Sequence, residues 1–177
     1  MVWPPKSARA LSARNRSSPP TCSPICPAPW RSVPHYRTAS EEETVALGMR
    51  LARELPRTGV VLLIGNLGAG KTTLAKGIAA GRGAAPPEEV TSPTFTLIHE
   101  YAPDFYHIDL YRLDEPREVA ALGLDDLFDR DALVLIEWGE RFPSLMPPSR
   151  TEIRIRRNPD ETREIDVSPP ESVTMSV

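Results

Sequence analysis

The first forty residues contain no aspartate or glutamate. They hold six basic side chains, Lys6, Arg9, Arg14, Arg16, Arg31 and Arg37, so the rest of the chain carries all 24 acids against 15 of the 21 bases. An acidic body argues against non-specific nucleic-acid binding as the main role, because neutralising phosphates needs a surplus of Lys and Arg. A local basic patch stays open. Cysteine is nearly absent: Cys22 and Cys26 are the whole supply in 177 residues. A single C-x3-C pair makes neither a disulfide framework nor a good zinc site, so the two are expected to be free thiols in a reducing compartment. No apolar run approaches the roughly 20 residues that cross a bilayer. The expectation is a soluble, cytoplasmic protein.

Residues 1–38 hold eight of the 20 prolines and almost no apolar periodicity. Such a stretch cannot bury enough surface to offset its chain entropy. It is a disordered extension, the product of a mis-assigned start, or a transit peptide; its prolines oppose the amphipathic helix a mitochondrial signal needs, which favours the first two. A single domain is expected over 39–170, followed by a flexible tail at 171–177.

Order is expected from Ser40, where "SEEE" sets a capping box with Glu43. Leu47, Leu51 and Leu55 then recur at helical spacing until Pro56. "TGVVLLIG" is apolar on both faces, the mark of a central strand in a covered parallel sheet. "KTTLAKGIAAG" predicts a helix ending at Gly81. "TFTLIHEY" and "FYHIDLY" predict a β-hairpin across Ala102-Pro103-Asp104. "REVAALG" and "LDDLF" predict short helices, "ALVLIEW" a second buried strand, and "TEIRIRR" with "REIDV" a late antiparallel pair. No internal repeat is present. The alternation of strands and helices gives an α/β class, a mostly parallel central sheet with an antiparallel hairpin and helices on both faces.

The chemistry concentrates at Gly65-x4-Gly70-Lys71-Thr72, the Walker A spacing. Glycines at 65, 68 and 70 allow positive φ and close approach of backbone to phosphate. Successive N–H groups of Asn66, Leu67, Gly68, Ala69, Gly70, Lys71, Thr72 and Thr73 are then candidates for an anion nest at a helix N-terminus. Lys71 is placed to reach the β- and γ-phosphates, and the Thr72 hydroxyl to bind Mg2+, which shares its oxygen ligands with phosphates. A buried strand before the motif and an amphipathic helix after it supply the context that a chance match lacks. Glu137, at the end of "LVLIE", is the candidate second acid for Mg2+, because strand C-termini line the ligand crevice of a parallel sheet. Asp109 shares a face with His107 on its strand and is a candidate to orient or deprotonate water, or to hold a metal-bound water. His107 is expected to be a packed, hydrogen-bonded support, and His35 and His99 to be structural. The hydroxyl-rich "TSPTFT" suits either a γ-phosphate-sensing loop or an ordinary Ser-Pro turn. Arg112 and Arg141 are candidate charge stabilisers, though a solvated surface is the commoner place for Arg. No Asn-Lys-x-Asp run is present to read guanine, so ATP is expected rather than GTP.

Taken together, "GNLGAGKTTLAKG", "VTSPTFTLIHEY", "FYHIDLYRL", "LGLDDLF" and "LIEWGER" resemble the TsaE (YjeE) family of bacterial tRNA threonylcarbamoyladenosine synthesis over about residues 40–142. The joint occurrence of S-P-T-[FY]-T, H-x-D-x-Y-R and [IV]-E-W carries the resemblance; Walker A alone is unspecific. The resemblance implies a P-loop NTPase-like fold and an ATP hydrolase, weak alone. It implies catalytic roles for Lys71, Asp109 and Glu137, with Trp138 beside the nucleotide and Thr72 and Glu137 at the metal. It further implies that a TsaD–TsaB pair is the partner and that tRNA is met through that complex; the isolated chain is expected to be a monomer. One departure is Asn66, where the family commonly has Asp; binding is expected to survive the loss of charge. A small-molecule P-loop kinase or a nucleotide-sensing switch remains the alternative.

Overall fold

The computed structural model describes residues 33–170. The cysteine pair, residues 1–32 and the tail at 171–177 lie outside the described residues. Within them the first helix is set by its cap. Ser40 is extended, and its Oγ accepts the Glu43 N–H at 3.1 Å. Glu43 Oε2 returns the bond to the Ala39 N–H at 2.7 Å, one residue earlier than a standard capping box. Helix α1 runs Glu41–Glu54, with three glutamates in its first turn and Arg53 in its last, as the helix dipole favours.

A seven-stranded sheet follows, in the order β1-β7-β6-β2-β5-β4-β3. β2 (Gly59–Ile64) lies at its centre, parallel to β5 (Leu133–Glu137) on one side and to β6 (Arg150–Arg157) on the other. β4 (Phe105–Asp109) runs parallel to β5. The edges are antiparallel: the β3 (Ile98–Ala102)–β4 hairpin at one end, β6 with β7 (Arg163–Ser168) and then β1 at the other. The expected α/β sheet is therefore present, with an antiparallel wing on each flank.

Alternation sorts the strand residues into two cores. Val61, Leu63, Leu135 and Ile153 face α1 and α2 (Lys71–Arg82). Val60, Leu62, Ile108 and Ile136 face the other layer, with Val119 of α3 (Pro116–Ala120) and Leu124 of α4 (Leu124–Phe128). No helix among the described residues is long and apolar enough to cross a membrane.

Three features depart from the sequence reading. The sheet begins before residue 39: β1 (His35–Thr38) pairs with β7, and His35 bonds Asp166. Four residues, two of them polar and exposed, are too few for alternation to register. Helix α2 runs through Gly81 to a left-handed Gly83 cap. Gly81 is a packing residue, since a Cβ there would lie 2.6 Å from that of Ala52 on α1. Finally, 94–97 is loop rather than the start of the strand, because Leu97 takes φ +65° and closes a turn onto Pro93 O.

Gly48, Gly77 and Gly81 together let α1 and α2 pack backbone to backbone. A Cβ at Gly77 would stand 2.1 Å from Val45 O. Helix propensity favours alanine over glycine by about 1 kcal/mol. The collision is with rigid backbone, and overpacking of that kind costs about 1–3 kcal/mol or more. Gly77→Ala is therefore expected to lose about 2 kcal/mol, seen as a lower urea midpoint at unchanged slope. A rise in midpoint would show that the helices separate freely.

Candidate functional site

The strand β2 hands directly into the glycine loop. Gly65 packs so tightly on β6 that a Cβ would meet Ile155 O at 2.4 Å. Gly68 and Gly70 take φ of +76° and +107°, values open to glycine and strained for other residues. Gly70 then caps α2, whose first N–H groups, at Lys71, Thr72 and Thr73, lack intrahelical partners. Lys71 is 4% exposed. Its Nζ donates to Gly65 O at 2.7 Å and Asn66 O at 3.0 Å, and lies 4.1 Å from the centre of the Trp138 ring. Burial lowers its pKa, while Glu137, Glu140 and Asp109 act to raise it. A buried cation beside free helix N–H groups gives this end of the helix a positive field of the kind anions favour.

Two acids stand at the same sheet edge. Asp109 and Glu137 are register partners at the ends of β4 and β5. Glu137 is 3% exposed, and its Oε1 accepts the Thr72 hydroxyl at 2.7 Å and pairs with His107 Nε2 at 3.0 Å. His107 is wholly buried and its Nδ1 has no partner. A carboxylate oxygen only accepts, so the Nε2–H donates to Glu137. His107 thus supports the fold, as expected, and orients the acid as well. Asp109 Oδ2 accepts from Ser92 at 2.8 Å and Thr94 at 2.5 Å, and Oδ1 from the Tyr111 N–H at 2.9 Å. The hydroxyl-rich loop is in this way tied to the acid.

A cavity of about 420 Å3 collects these groups. It is lined by Leu67, Gly68, Gly70, Lys71, Thr72 and Thr73 of the glycine loop and α2, together with Asp109, Glu137 and Trp138. Asn66 and Ala69 instead face a neighbouring hollow against the β6–β7 turn, and the Ala69 N–H is spent on Asn66 O at 3.1 Å. Among the described residues no cluster of three or more His, Cys, Asp or Glu groups is assembled to hold a metal. One hydroxyl and two carboxylates fit a magnesium ion that keeps waters and shares phosphate oxygens, as Mg2+ does in phosphate sites.

The family model described as threonylcarbamoyl adenosine biosynthesis protein TsaE matches residues 38–165. The chain belongs to the TsaE family. The matched span contains every residue that lines the cavity. The tRNA threonylcarbamoyladenosine biosynthesis protein TsaE of Bacillus subtilis is 41% identical over 133 residues, covering 73% of this chain and 82% of its own. That of a Nostoc species is 40% identical over 138 residues, covering 74% and 83%. That of Treponema pallidum is 39% identical over 131 residues, covering 73% and 96%. The crystal structure of Bacillus subtilis YdiB superposes with a TM-score of 0.62 at 35% identity, over 77% of this chain and 86% of that one. The fold is thus P-loop NTPase-like, in a family of tRNA threonylcarbamoyladenosine biosynthesis.

Within this TsaE frame Asn66 works through its backbone: its carbonyl accepts from Lys71 and Ala69 while its side chain is exposed. Arg112 and Arg141 do not line the cavity. Arg112 stacks on Phe95, and Arg141 bonds Tyr111 O and Asp114. His99 pairs with Tyr101. Sequence reasoning missed Glu41, Tyr111, Arg157 and Arg163, which also line the cavity. The arginines sit on a late hairpin whose alternation reads as ordinary strand, and only the β2–β6 pairing carries them over the glycine loop.

Glu140, in the turn after Trp138, has a buried Oε2 without a partner. Burial pushes its pKa up, against its own backbone N–H, Lys71, Arg154 and Arg141, which pull it down. The folded state then holds this proton more tightly than the unfolded chain. Stability is greatest below the ordinary glutamate range near ~4.3, falls as pH rises through the raised folded value, and stays reduced above it. Glu140→Gln is expected to match the parent Tm near pH ~4 and exceed it at pH ~7. An equal shift at both pH values would assign the effect to packing.

Proposed function

We propose that this chain is an ATP hydrolase that binds Mg-ATP and, with a TsaD–TsaB pair, supports formation of N6-threonylcarbamoyladenosine at position 37 of tRNA. The observation that carries the reading is one cavity in which Lys71, the free N–H groups of α2, Thr72, Glu137 and Asp109 meet. Lys71 and the helix N-terminus supply the positive field for a polyphosphate. Magnesium, when bound beside Thr72 and Glu137, would supply charge neutralisation at the phosphates. Glu137 offers its second oxygen, since Oε1 is taken by Thr72 and His107. Asp109, fixed by three donors, is held rigidly enough to orient a water. Hydrolysis adds that water to the γ-phosphorus, breaks the bond to the β-phosphate oxygen and yields ADP and phosphate. The missing guanine-reading run favours ATP. We read the isolated chain as a cytoplasmic monomer that meets tRNA through the partner pair.

The test is free-phosphate release from Mg-ATP by the chain alone and with the TsaD–TsaB pair. Release is expected to be slow alone and to rise with the pair. Glu137→Gln and Asp109→Asn should each lower it by about a hundredfold, the scale of losing a positioned acid or base. Phosphate found on an acceptor would mark a kinase. Tight ATP binding with no turnover under either condition would mark a sensing module.

A further inference from the structure

Arg163 is out of place by ordinary electrostatics. It is 7% exposed, yet no carboxylate among the described residues lies within ion-pair distance of it, and its buried Nε has no hydrogen-bond partner. It is pressed onto the glycine loop: a Cβ on Gly70 would stand 2.8 Å from Nε and 3.0 Å from Cδ. Gly70 is the N-cap of α2, the positive end of that helix. Lys71, also buried, follows immediately. The register partner of Arg163 on β6, Arg157, stands 3.8 Å from the corresponding point on Gly68 and lines the same cavity. Arg157 is half exposed and already paired with Glu161. Arg163 has no such partner.

A buried cation at the positive end of a helix, beside a second buried cation, is unfavourable without an anion. Hydrophobic packing does not explain it either, since an apolar side chain of similar length would fill the space without the charge. Asp109 and Glu137 line the same cavity but stay beyond ion-pair distance of Arg163 and accept from their own donors, so the guanidinium has no paired anion until one is held at the glycine loop. A guanidinium presents several donors in a fixed fork suited to phosphate oxygens.

We propose that Arg163 is a phosphate ligand contributed from β7, two strands away from β2, gripping the polyphosphate chain over Gly70. The assignment rests on the nucleotide reading above. The side chain is already packed against the glycine loop, so it contributes to binding of substrate and product alike. It is a binding residue rather than one that acts only in the transition state.

The experiment measures the Kd of Mg-ATP, Mg-ADP and inorganic triphosphate by calorimetry for the full chain, Arg163→Met and Arg163→Lys, together with the Tm of each nucleotide-free protein. Arg163→Met is expected to bind all three ligands about tenfold or more weakly, the scale of a hydrogen bond to a charged group. Arg163→Lys should recover part of the loss. The free Arg163→Met protein should melt at or above the parent Tm, because an uncompensated charge has gone. Unchanged Kd values would overturn the proposal. So would a weakened Kd accompanied by a fall in Tm of the free protein, which marks a merely structural arginine, or an unchanged Kd with lowered turnover. Failure of the parent to bind Mg-ATP while it binds triphosphate through Arg163 would overturn the ATP reading and leave the phosphate ligand standing.

Discussion

Glu137 is the last residue of a strand whose other four residues are apolar and buried. A carboxylate in that position is tolerable only where the sheet ends and partners meet it. The register of three parallel strands supplies both conditions: Leu63 opposite Glu137, and Glu137 opposite Asp109. Because side chains alternate along a strand, a slip of one residue between β5 and β4 would turn one acid from the crevice into the opposite core. The same register brings the end of β2 to the level of both acids, so the glycine loop opens beside them. The two buried cores above and below the sheet hold that register against sliding.

Charge explains the rest of the site's shape. Lys71, Arg163 and the N-terminus of α2 crowd positive charge onto one side of the cavity, and Glu137 and Asp109 hold negative charge on the other. Each acid has its own hydrogen-bond donors: Thr72 and His107 for one, Ser92, Thr94 and a backbone N–H for the other. The cations are satisfied less well, with Lys71 resting on carbonyls and a ring face. Buried cations that lack a directly paired carboxylate gain when an anion meets them, which links ligand binding to stability by mass action.

Much of this was legible from local chemistry. The Ser40 cap, the apolar runs of β2 and β5, the Walker A spacing and the pairing of Asp109 with His107 on one face are short-range patterns. The structure brings Lys71, Thr72, Asp109, Glu137 and Trp138 into one cavity as those patterns imply. The illegible parts are non-local. The four residues of β1 acquire their strand only from β7, over a hundred residues away. Gly81 reads as a helix stop until α1 is known to lie against it. Arg163 looks like a surface residue of a late hairpin until the β6–β2 pairing carries it over Gly70. Thr94 looks like the start of a strand, and it is the left-handed turn at Leu97 that bends it back to Asp109.

That turn gives the loop at 91–97 its relation to the rest. The Leu97 carbonyl accepts the Asp109 N–H at 3.0 Å, so loop and acid are joined by backbone at one end and by two hydroxyls at the other. Thr72 differs: as the donor to Glu137 its oxygen keeps lone pairs free, so it can offer them without giving up the bond that orients the acid. Ser92 and Thr94 also lie 2.7 Å from each other, so their two protons serve three contacts and hold the loop to Asp109 Oδ2 as one network. The P-loop side of the cavity thus keeps lone pairs open, whereas the Asp109 side is closed by hydroxyls of the loop that carries the exposed Phe95.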